Sequence, residues 1–134
     1  MSGAEAEPVR AWHRMLASDD PTLIEPLLDA AVVFRSPAIH QPKHGKGPAS
    51  RFLAAAQKVI GPTVSFGRVW TLEDRTAVLE FEATVSGLQV HGVDILTWNQ
   101  AGLITEITVM ARPFKALDAL SQAMGVALAH DSTH

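Results

Sequence analysis

The stretch from Gln89 to Arg112, QVHGVDILTWNQAGLITEITVMAR, constrains the chain more than any other. β-Branched and aromatic residues crowd both sides of Asn99-Gln100-Ala101-Gly102, and a four-residue link ending in glycine suits a turn whose last position takes positive φ. The pattern predicts a long β-hairpin. With Trp98 opposite Leu103, alternation places Val90, Gly92, Asp94, Leu96 and Trp98 on the same face as Leu103, Thr105, Ile107, Val109 and Ala111. Asp94 then points into an apolar wall. An ionised carboxylate buried there without a partner would cost several kcal/mol, so Asp94 is either tied down by donors or used in chemistry.

The remaining elements fall into place around this hairpin. Pro8 suits the first turn of a helix running to about Ala17, with Val9, Trp12, Met15 and Leu16 on one side. Asp20-Pro21 is a cap and first-position pair for a second, short helix through Leu28, which buries Leu23, Ile24, Leu27 and Leu28 and is distorted by Pro26. Val32 to Arg35 reads as a short strand with Val32 and Phe34, and next Ser36, on one face. Between Ser36 and Pro48, Pro37, Pro42, Gly45 and Gly47 exclude a regular element. This loop carries His40, Gln41, Lys43, His44 and Lys46 and is the part of the surface best placed to meet a ligand.

A third helix is expected from Pro48 to about Ile60, burying Phe52, Leu53, Ala56, Val59 and Ile60 and stopped by Gly61-Pro62. The period then changes to two. Thr63 to Leu72 is a strand, and Arg75 to Ser86 returns with Ala77, Leu79, Phe81, Ala83 and Val85 inward. Pro113 opens a last helix with Phe114, Leu117, Leu120 and Met124 on one side, while the first six residues and the tail from Ala129 are expected to be loose. Helices segregated from long strands imply an α+β fold. The expected form is a cone-shaped half-barrel, a strongly curved antiparallel sheet wrapped over three N-terminal helices with a C-terminal helix, its mouth near the proline-rich loop.

Length and charge narrow the function classes. A chain of 134 residues is the size of one domain, and 47% hydrophobic residues against 19% charged is a globular composition. The net charge is -3, and with basic residues dispersed there is no stripe to follow a phosphate backbone, which argues against nucleic acid and against an anionic membrane surface. No apolar run is long enough to span a bilayer and no basic-then-apolar leader opens the chain, so a cytoplasmic protein is expected. The absence of cysteine excludes disulfides, thiolate metal sites and a cysteine nucleophile.

Three strings, LLDAAVVFRSP (Leu27 to Pro37), HGKGPASRFL (His44 to Leu53) and GVDILTWNQAGLITEI (Gly92 to Ile107), together with the order of elements, resemble the SnoaL-like branch of the nuclear-transport-factor-two-like superfamily, which also contains ketosteroid isomerases. The resemblance spans nearly the whole chain and implies the cone fold; the fold itself hosts many chemistries. It places the isomerases' general base, an aspartate just before the proline that ends the first strand, on Ser36. Their oxyanion-hole tyrosine falls on Trp12. Asp94 matches the third member, a carboxylic acid kept neutral so that it donates a hydrogen bond, and is also compatible with the acid-base aspartate of SnoaL-type cyclases.

Asp94 is therefore the first catalytic candidate, since desolvation by Leu96, Trp98 and Ile107 would raise its pKa; a structural acid bonded to backbone or to the Trp12 indole fits the same pattern. His40 is the second, leaning over the mouth to exchange a proton with a ligand. His40 and His44 are four apart, but Pro42 between them denies the helix that would aim both at one ion, so no metal site is expected, and the proton transfer considered needs no cofactor. The expected ligand wall is Trp12, Phe34, Ser36, Phe52, Phe81, Leu96, Trp98, Ile107 and Val109, which would hold a small hydrophobic organic molecule. Lys43, Lys46 and Arg35 could attract an anionic group, dispersed surface charge being the plainer account. The outer sheet face offers Val93, Ile95, Thr97, Ile104, Thr108 and Met110, with His91 also outside, and a homodimer through that face is expected because a bare apolar face of that size is unusual for a monomer. Without an acid at the Ser36 position, a non-catalytic ligand-binding or dimerisation module is the alternative to an isomerase or cyclase.

Overall fold

The computed structural model describes residues 6–131. Helix α1 spans Glu7–Leu16, with Pro8 in its first turn and Val9, Trp12, Met15 and Leu16 buried, as the spacing predicts. Its exit is held by Gln57, whose buried amide donates to the carbonyls of Met15 (2.9 Å) and Asp20 (3.0 Å). The expected second helix is instead two 3₁₀ turns, Pro21–Leu23 and Glu25–Leu27. Pro26 has no N–H to continue a helix, and the chain passes at Leu28 into strand β1, Leu28–Arg35, which starts four residues earlier than the sequence suggested.

The proline-rich loop is not wholly irregular. Lys43–His44 form a short strand, β2, antiparallel to Val33 and Phe34 of β1, and Gly45, at φ 93°, donates its N–H to the Val32 carbonyl and turns the chain into α2. Helix α2 spans Lys46–Val59, so Pro48 lies in its first turn rather than at its start.

Strands β3 (Ser65–Leu72), β4 (Thr76–Val85), β5 (Leu88–Trp98) and β6 (Ile104–Arg112) complete an open six-stranded sheet of order β2-β1-β6-β5-β4-β3. All neighbours are antiparallel except β1 and β6, which run parallel, so the sheet is mixed where an antiparallel one was expected. The β5–β6 hairpin closes as its turn sequence predicts. Gly102 takes φ 83°, and the Asn99 side-chain oxygen accepts from the N–H groups of Ala101 and Leu103, both at 3.0 Å.

The hairpin register departs from strict alternation. Trp98 pairs with Ile104 and Thr97 with Glu106, leaving Thr105 looped out of the ladder with its hydroxyl donating to the Thr97 carbonyl. One extra residue reverses the facing of everything between it and the turn. Ile104 therefore lies in the core rather than on the outer face, and Leu103 and Thr105 do not join the inner row. Beyond the bulge, Ile107 and Val109 regain the facing expected of them.

Helix α3 spans Phe114–Asp131, so it continues past Ala129, where a loose tail was expected; the first five residues and the last three lie outside the described residues. Ala116 and Leu120 are buried and Leu117 and Met124 pack on the core. Phe114, expected on that side, is 84% exposed. It precedes Leu120 by six residues, which at about 100° per residue sets it roughly 120° from the buried stripe. Among the described residues no helix is long and apolar enough to cross a membrane. The core is one cluster between α1, α2 and α3 and the inner row of the sheet.

Candidate functional site

The inner row of β4 and β5 brings Phe81 opposite Gly92 and Leu79 opposite Asp94. A side chain at position 92 would stand 2.7 Å from the tip of the Phe81 ring and would also meet the Met110 carbonyl, so the glycine leaves the space this ring occupies. Over this floor sits a cavity of about 250 Å³, walled by α1, α2 and α3 and by the segment after β1. Ala38 and Ile39 of the loop following β1, and Ser121 and Gly125 of α3, line it and are exposed, which puts the mouth between that loop and α3.

Asp94 lies in this cavity and is only 3% exposed. The Trp12 indole donates to its Oδ2 at 3.1 Å, its one side-chain partner among the described residues. Desolvation pushes the Asp94 carboxyl up to about 7, against the smaller opposing pull of the Trp12 hydrogen bond. Near neutral pH such a group is present both as an acid and as a base. No other ionisable side chain lines the cavity among the described residues, and the polar company of Asp94 there is Trp12, Ser36 and Ser121.

Of the residues read from the sequence, the structure brings Asp94, Trp12, Phe34, Ser36, Phe52, Phe81 and Val109 to this cavity. Leu96, Trp98 and Ile107 share the inner face but lie further along the hairpin, where they are buried in the core with Leu28 and Ile104. His40 is exposed and is not part of the lining, although its neighbour Ile39 is. Ser36 Oγ accepts from the Ala38 N–H at 3.1 Å, which holds the bend leaving β1. Among the described residues no group of three or more His, Asp or Glu could hold a metal ion.

The α3 wall, with Leu117, Leu120, Ser121, Met124 and Leu128, was missed by sequence reasoning as part of the site. The helical stripe announced a buried face; which partner it would face was not written in its period.

A second polar cluster stands on the outer sheet face. Glu80 accepts from the Arg68 backbone N–H and guanidinium, each at 3.1 Å, and lies 2.7 Å from His91 Nε2. The Arg68 and His91 hydrogen bonds hold its carboxyl down to about 2. Gly67 clears room for that carboxylate, because a Cβ there would stand 2.8 Å from Oε1. This cluster ties β3, β4 and β5 together away from the cavity.

No curated protein matches the chain. Among solved structures, a steroid delta-isomerase from Pseudomonas aeruginosa is similar over 100% of both chains at 30% identity, with a TM-score of 0.88. An uncharacterized protein with a cystatin-like fold from Silicibacter pomeroyi aligns at 29% identity and a TM-score of 0.87, covering 95% of this chain and 89% of its own. A hypothetical protein from Catenulispora acidiphila, in complex with trimethylamine, shares the ketosteroid isomerase-like fold at 18% identity, 90% and 94% coverage and a TM-score of 0.68. The SnoaL-like domain model matches residues 9–107, from the buried stripe of α1 to the middle of β6. This chain belongs to the SnoaL-like domain family.

Proposed function

We propose that the chain binds a small, largely apolar organic molecule in its cavity and moves a proton on it with Asp94, without a cofactor, as an isomerase or cyclase would. The observation that carries this reading is a buried carboxyl, pushed up to about 7, at the wall of a largely apolar space that holds no other ionisable side chain among the described residues. The full-length similarity to a steroid delta-isomerase supports the reaction class. In the ionised form Asp94 takes a proton from a carbon next to a carbonyl, and the bonding pair moves into the enolate. The same proton returns to another carbon of the conjugated system, so the step consumes nothing and Asp94 is restored. Trp12 donates to Oδ2, and the proton transfer is assigned to Oδ1.

Ser36 favours a second reading. The resemblance sets the isomerases' base there, and a hydroxyl engaged by the Ala38 N–H is no substitute for a carboxylate. A binding module in which Asp94 only anchors the ligand accommodates that serine. Hydrogen–deuterium exchange of small cyclic ketones in D₂O, followed by NMR, separates the two. Catalytic proton transfer predicts enzyme-dependent exchange that falls by about 10²- to 10⁴-fold in Asp94→Asn with folding retained. Exchange unchanged in that variant would contradict it and favour the module.

A further inference from the structure

The strongest asymmetry in the chain is one of charge. Between Asp29 and Glu73 there is no Asp or Glu, while six of the eleven Lys and Arg residues lie there. The structure partners two of the six across the sheet, Arg35 with Glu106 at 3.0 Å and Arg68 with Glu80 at 3.1 Å. Lys43, Lys46 and Arg51 have no ion pair among the described residues, and all three lie on β2 or the first half of α2. Lys43 is fixed by its strand pairing with Phe34, and its Nζ stands 5.9 Å from the centre of the Phe52 ring. Phe34 and Phe52 contact each other, with ring centres 5.3 Å apart, and both line the cavity. Lys43 is not itself among the lining residues, so the cation stands against the aromatic pair that forms one wall, four residues along the chain from Ile39 at the mouth.

We infer that the ligand is an amphipathic anion, an apolar body in the cavity with one carboxylate at the mouth, held by Lys43 and supported by Arg51. This rests on the cavity being the binding site and adds the chemical class of what it takes. A carboxylate has no place at the deep end, where its only charged neighbour would be another carboxyl, Asp94. Towards the mouth it approaches Lys43, which has no ion pair among the described residues, and retains part of its water. Size limits the body: roughly 150 Å³ is enough for benzene, so about 250 Å³ encloses a two-ring skeleton more readily than a four-ring one.

The test is a matched pair, 2-naphthylacetate and its methyl ester, titrated against the intact protein by calorimetry at low and high salt. The acid is expected to bind about fivefold to tenfold more tightly than the ester at low salt, and the advantage to shrink as salt is added. Lys43→Met should bring acid and ester to within about twofold without weakening the ester. Arg51→Ala, an exposed site, should reduce the preference in the same direction. Equal binding of acid and ester by the wild type, or a preference that survives both substitutions, overturns the anionic class while leaving the cavity reading intact. If neither compound binds, the cavity reading falls and this inference falls with it.

Discussion

Trp12 of α1 and Asp94 of β5 are joined by a hydrogen bond of 3.1 Å across 82 residues of chain, and it brings the first helix and the central hairpin together at the one ionisable side chain that lines the cavity among the described residues. The indole N–H stabilises the charged form of a carboxyl whose burial favours the neutral form. Trp12→Phe keeps much of the apolar volume and removes the donor. The Asp94 pKa should then rise further above 7, and the fold should lose about 1–3 kcal/mol from the unpaired oxygen and the smaller ring. Carboxyl ¹³C titration and urea unfolding measure the two effects separately.

The same raised pKa makes stability depend on pH. Because the folded value of about 7 exceeds the ordinary 3.8, the folded state holds this proton more tightly than the unfolded chain. The stabilisation is complete below 3.8, falls as pH rises, and is gone above about 7. The slope approaches about 1.4 kcal/mol per pH unit, for a total on the order of a few kcal/mol. Asp94→Asn, whose amide oxygen still accepts from Trp12, should flatten unfolding free energies across that window. Glu80, held down to about 2, acts in the opposite sense: its contribution is present above 4.5 and lost as pH falls towards 2.

Phe81 lines the cavity, and Gly92, opposite it on β5, leaves the space its ring needs. Gly92→Ala sets a methyl group against the Phe81 ring and the Met110 carbonyl, which must move the ring into the cavity or bend β5. A destabilisation of about 1–3 kcal/mol, with weakened ligand binding, is expected. Thermal unfolding and ligand titration of the variant check both effects.

The proposed homodimer through the outer sheet face places Met110, 55% exposed, near the middle of that face beside Val93. Met110→Lys should shift the protein towards the monomer with its unfolding temperature little changed. Sedimentation velocity over a concentration series reads this; a wild type that is monomeric throughout removes the proposal.

Much of this was legible in the chain. Period-two alternation in β4 and β5 places Phe81 and Asp94 on the inner row, and Gly102 closes the turn as its position requires. Alternation could not see the bulge at Thr105, which changes the count without changing the composition and carries Ile104 into the core. Nor could it tell cavity wall from solid core: Leu96, Trp98 and Ile107 share a face with Asp94, and only the docking of α1 and α3 decides where packing stops. The acid-free stretch from Asp29 to Glu73 was visible throughout, but the net charge of the whole chain, -3, concealed it, and only the folded chain sets Lys43 against the Phe52 ring of the cavity wall.

The titration of Asp94 by carboxyl ¹³C NMR, free and with a bound apolar carbonyl compound, tests the central claim most directly. A midpoint near 7 in the free protein that moves when the ligand enters is the predicted result. A midpoint near 3.8, unmoved by any ligand that binds, would contradict it.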